Sequence, residues 1–191
     1  MNQKRSLVQE NYKDYTPQVN AKKTVQILLN YVPPEDLANL QSIVLTNMAA
    51  LSRKRKRQRS SSGAPISDVL GRYHPGWKKQ PANIEIYVDT IFNDASWYDL
   101  KLPILRNLMF AKVLYHEIGH HIQIISNSKL VKGEAFADKY ASRLSNRMFR
   151  QRYGHFRPLW NSFYWFIQKV GFVTFIERRS RVKNRVCKIG F

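Results

Sequence analysis

The segment His116-Glu117-Ile118-Gly119-His120 carries residue types that bind and use a metal ion. Positions four apart on an α-helix stand one above the other, so His116 and His120 converge on a single cation. Glu117, beside the first histidine, is rotated around the helix axis and can reach a water held by that cation. Zinc is the expected metal. It lowers the pKa of its water toward neutrality, and Glu117 takes the proton as hydroxide attacks a carbonyl.

A tetrahedral catalytic zinc needs a third protein ligand and an open fourth position. Fourteen residues after His120 stands Glu134, at the head of a second expected helix. A helix that turns and packs back on the first brings Glu134 level with the histidines. Asp138 lies four residues on, hence on the same face, and is placed to accept the outer N–H of a ligand histidine and fix its tautomer. Ala137 and Ala141 are small, which lets the two helices approach closely.

The elements that must position these residues are legible in outline. A long helix begins near Pro103, with Ile104, Leu108, Ala111, Tyr115, Ile118 and Ile122 on one buried face. Ser126 to Lys129 turns the chain, and the second helix runs from about Lys132 to Phe149. Upstream, 21–32 has apolar residues at helical spacing and stops before Pro33-Pro34. A short helical turn is expected over 35–40, and Ser42 to Thr46 reads as a buried strand. Gly71 to Gly76 is a short extended piece closed by a Pro-Gly turn. The alternating run Ile84 to Val88 is the clearest strand and is read as continuing through Asp89-Thr90-Ile91-Phe92. A polar loop is expected over 93–98.

At this point the sequence resembles the gluzincin metallopeptidases, especially minimal single-domain ones and the repressor-cleaving regulators of mobile elements. The resemblance covers roughly Ser42 to Ala141. It rests on the HExxH pentapeptide and on Glu134-Ala135-Phe136-Ala137-Asp138-Lys139-Tyr140-Ala141, which matches the family's ligand helix with Glu134 at the ligand position. It implies an α+β, zincin-like fold, a small twisted sheet over an active-site helix. It also implies an edge strand that binds substrate backbone, here Gly71 to His74, with Gly71 and Tyr73 as the contacts. The activity implied is hydrolysis of a protein or peptide substrate with Zn2+ as cofactor. Gluzincins place a cationic or hydroxyl donor near the metal to stabilise the oxyanion; Tyr153, His155, Tyr73 and His74 are the candidates. His121 points about 100° away from the ligand pair and reads as a surface or supporting residue.

Length, charge and cysteine content set the frame. A chain of 191 residues buries roughly 70% of its unfolded surface and needs no disulfide framework. We expect a peptidase domain over 1–150, with a basic exposed loop at 53–64, and an aromatic, basic helical extension over 151–191. The single cysteine, Cys187, favours a reducing compartment. There is no apolar signal-peptide core, and Phe156 to Ile176 is too interrupted by polar residues to span a membrane, so a cytoplasmic location is expected. The net charge of +19 is patchy. Arg53 to Arg59 holds six basic residues and no acid, and the stretch from Asn146 to the end holds eleven against one acid. Such runs attract polyanions, nucleic acid above all, and they also serve as solvated surface. Three other functions use the same features: a nucleic-acid-binding regulator whose zinc domain is structural, a zinc hydrolase of non-peptide amides, and a toxin-like or self-processing protease.

Overall fold

The computed structural model describes residues 7–56, 69–76, 81–93, 95–126 and 133–154. The chain divides into two compact units, Met1–Met148 and Phe149–Phe191. The expected helical extension over 156–175, His155 and the basic tail lie outside the described residues, as does most of the 53–64 loop.

The first unit has mixed α and β content around a four-stranded sheet. Strand β1 (Val8–Asn11) is followed by helix α1 (Ala21–Leu29), a 3-10 turn at Pro34–Leu37 and strand β2 (Leu40–Thr46). A 3-10 turn at Met48–Ala50 leads to the one-turn helix α2 (Arg53–Lys56). Strands β3 (Gly71–His74) and β4 (Ala82–Tyr87) precede α3 (Val88–Asn93) and α4 (Trp97–Lys101). Helices α5 (Pro103–Ile125) and α6 (Gly133–Tyr153) close the described chain. The strand order is β1-β2-β4-β3, with β1, β2 and β4 parallel and β3 antiparallel at one edge.

Helix α1 is the crossover that a parallel β1–β2 pair requires. Asn20 caps it, its side chain accepting the Lys23 N–H at 2.7 Å. Its buried stripe is Ala21, Thr24, Val25, Leu28 and Leu29. Beyond the last β1–β2 pair, Asn47 extends the ladder with its side chain. Its Oδ1 accepts from Lys13 N at 2.9 Å and its Nδ2 donates to Lys13 O at 2.8 Å. Helix α5 is held against α1 by the Tyr115 hydroxyl, which donates to Leu28 O at 3.0 Å.

Three expectations are corrected. The run Asp89 to Phe92 is helical, not a continuation of the strand: Val88, Ile91 and Phe92 are all buried at spacings of three and four. A short β-branched run is compatible with either element, and the packing partner decides. The polar loop over 93–98 contains the start of α4. The basic loop is not wholly free, because Arg55 in α2 pairs with Glu85 on β4.

The sheet has two distinct faces. Gly71 and Ile86 are cross-strand partners, and a Cβ at Gly71 would meet Val113 and Glu117 of α5, so that face looks toward α5. Alternation puts Glu85 and Tyr87 on the other face. There Glu85 receives Arg55, His74 Nε2 at 3.0 Å and the Tyr87 hydroxyl at 2.9 Å. Burial by itself raises the Glu85 pKa, but the hydrogen bonds from His74 and Arg55 outweigh it and bring the group down to about 2. A depressed carboxyl stabilises the fold above its ordinary value of 4.5 and loses that contribution as pH falls toward 2. Arg55→Ala should therefore cost about 1–2 kcal/mol near neutrality, discounted for the partial exposure of Arg55. In urea titrations the gap between the wild-type and variant midpoints should be widest above pH 4.5 and close as pH approaches 2.

Candidate metal centre

Helix α5 places His116 and His120 one turn apart, and their Nε2 atoms stand 3.1 Å from each other. Helix α6 brings in Glu134, with Oε2 at 3.4 Å from His116 Nε2 and Oε1 at 3.9 Å from His120 Nε2. A tetrahedral zinc with bonds of about 2.0–2.1 Å sets neighbouring ligand atoms roughly 3.3 Å apart, so the three side chains are spaced to share one ion. This His116, His120 and Glu134 group can hold a metal. Both imidazoles are mostly covered, while the Glu134 side chain is over half exposed, which opens the gap to solvent.

His116 has its tautomer set from outside. Its Nδ1 lies 3.0 Å from Asp138 Oδ1. The carboxylate accepts the Nδ1–H, leaving the Nε2 lone pair aimed at the gap. Burial, and His116 beside it, hold the His120 pKa below the usual imidazole range, which favours the neutral form a metal needs.

Close approach of the two helices depends on Gly119. A Cβ there would fall 2.7 Å from the Ala137 Cα and 3.2 Å from its Cβ. The first turns of α6 are also tied down by Tyr140, whose hydroxyl donates to Asp36 Oδ2 at 2.6 Å. Ala137 and Ala141 are buried, in keeping with the close approach expected of small residues.

Glu117 lies between α5 and β3, almost fully buried. Burial pushes its carboxyl up to about 8; the Tyr73 backbone N–H pulls the other way, and the charge of Glu134 adds to the rise. That N–H is free to bond Glu117 for a topological reason. Tyr87 N donates to Leu70 O, which makes 70/87 a hydrogen-bonded antiparallel pair. The 71/86 and 73/84 pairs are then the non-bonded kind, and the backbone groups of Gly71 and Tyr73 point out from the free edge of the sheet.

The remaining candidates separate. The Tyr73 side chain is on the α5 face, and its hydroxyl lies 3.1 Å from His121 Nδ1. His121 is fully buried, which excludes the surface alternative and leaves the supporting one, and its Nε2–H donates to Ala38 O at 2.8 Å. Its Nδ1 is therefore the acceptor for the Tyr73 hydroxyl. His74 bonds Glu85 on the opposite face of the sheet from α5 and is not gathered at the imidazoles. Tyr153 is the last residue of α6 and is buried. It belongs to the second compact unit. The Tyr73–His121 pair and the Gly119 contact went unread in the sequence. A lone glycine inside an otherwise regular helix is the one signal that pointed to the latter.

Comparison of the chain with protein-family profiles, with curated proteins and with solved structures finds no match.

Proposed function

We propose that this protein is a zinc-dependent peptidase with a zincin-like domain of the gluzincin kind. The observation that carries the reading is the spacing of His116, His120 and Glu134, with the buried Glu117 carboxylate on the same helix. His116, His120 and Glu134 hold the ion, and Asp138 keeps His116 in the tautomer that binds it. A zinc ion held by these residues would supply Lewis-acid chemistry, polarisation of a carbonyl and acidification of water. Glu117 takes the proton from the attacking water and returns it to the scissile amide nitrogen as the amine leaves.

The free edge of β3 supplies the substrate contacts. The outward N–H and C=O of Gly71 and the outward C=O of Tyr73 suit an extended peptide added as a further strand, the Tyr73 N–H being held by Glu117. Such recognition is largely independent of side chains, so the substrate is a protein or peptide presented in extended form.

Metal analysis tests this reading. Purified wild-type protein should carry about one zinc per chain and hydrolyse unstructured peptides, with activity lost to a chelator and restored by zinc. Glu134→Ala should lower zinc affinity by more than the 10–100-fold typical of losing a supporting residue. Equal zinc retention by wild type and Glu134→Ala would remove the third ligand and the reading with it.

A further inference from the structure

The metal pocket uses one face of the sheet, and the basic run is pinned to the other. Helix α2 is Arg53-Lys54-Arg55-Lys56, four cations in one turn. Only Arg55 turns inward, to the buried Glu85 carboxylate that also receives His74 and Tyr87. Arg53, Lys54 and Lys56 are exposed. Glu85 is thus already shared by three donors. Nothing described in the metal site calls for three adjacent exposed cations, and holding them together has an electrostatic cost in the absence of an anion.

We infer that α2 and the sheet face beneath it form a nucleic-acid-binding surface that contacts the phosphate backbone without reading base sequence. The Arg55–Glu85 pair acts as the anchor: it spends one cation to fix the run on the sheet and leaves its neighbours facing outward. Three features favour nucleic acid over other anions. The α2 turn has no apolar side chain to insert into a lipid interface, as a membrane-surface helix needs. It has no aromatic or aliphatic anchor of the kind that dominates protein–protein contacts. What it offers is closely spaced positive charge, alternating guanidinium and ammonium, which a phosphate backbone matches. Because α5 lies behind the opposite face, a duplex on α2 and a peptide on the β3 edge do not compete for the same residues.

Salt-dependent binding to duplex DNA of arbitrary sequence tests this in the full-length chain. Each phosphate contact contributes about −0.9 to the slope of log affinity against log salt. The triple variant R53E/K54E/K56E, which keeps Arg55, should flatten the slope by about 2.7 and weaken binding at least tenfold at moderate salt. The neutral variant R53Q/K54Q/K56Q should flatten it by the same amount. Neither should alter zinc content or the circular dichroism spectrum, since all three side chains are exposed. A slope unchanged in both variants overturns the proposal. So does a loss seen with phosphatidylserine vesicles but not with DNA, which would make the surface a membrane site. Failure of the peptidase reading shows separately, in Glu117→Gln, which should leave DNA binding untouched.

Discussion

Glu117→Gln should lower peptide hydrolysis by about 10²- to 10⁴-fold, the range general acid–base catalysis supplies, while zinc content stays at the wild-type level. The substitution keeps the shape of the side chain and keeps an oxygen to accept the Tyr73 N–H, but it removes the group that takes up a proton. Because the wild-type carboxyl is pushed up by burial, the neutral amide also relieves a desolvation cost. Thermal stability of the metal-free variant should therefore equal or exceed that of wild type. Activity and stability then move in opposite directions, which a merely structural role for Glu117 would not produce. Unchanged hydrolysis with unchanged zinc would sink the catalytic assignment.

Gly119→Ala is the second large effect, and here two forces oppose one another. By helix propensity alone, alanine gains up to about 1 kcal/mol over glycine in a helix interior. Packing runs against it, because the new methyl would lie 2.7 Å from the Ala137 Cα. Overpacking of a tight contact costs about 1–3 kcal/mol, so packing should win. The helix that must retreat carries Glu134 and Asp138, so zinc affinity should fall together with stability. Adding Ala137→Gly should not restore either, since the nearest atom is backbone and not the Ala137 methyl. Isothermal titration with zinc and a urea melt of the single and double variants check this. Wild-type zinc affinity in Gly119→Ala would show that the interhelical spacing is slack.

The site was more legible in the sequence than the fold around it. Two histidines four apart with an intervening glutamate specify their own geometry, because the helix repeat fixes where each side chain stands. Glu134 and Asp138 obey the same repeat on a second helix, and only the turn between the helices had to be supplied. The sheet was harder to read. Strand β1 has one buried residue, Val8, in a four-residue element, so it carries no hydrophobic pattern to detect. Val88 to Asn93 has a composition that suits a strand, and only packing made it helical. Arg55 sits in a run that looks like solvated charge. Its partner, thirty positions away, has no local signature. The helix repeat turns His121 away from the ligand pair, but whether that side is surface or support depends on β3 and Ala38, which come from distant sequence.

The alternation of β3 reaches beyond the strand itself. Within the strand its outward backbone groups recur at Gly71 and Tyr73, with the Tyr73 N–H already given to Glu117, so a chain laid along that border would settle in whole two-residue steps. Within each step its side chains are sorted, one toward the imidazoles' side and the next toward the cationic side. A peptide added at that border would be held in a single phase, and preferences along it should then appear at every other position.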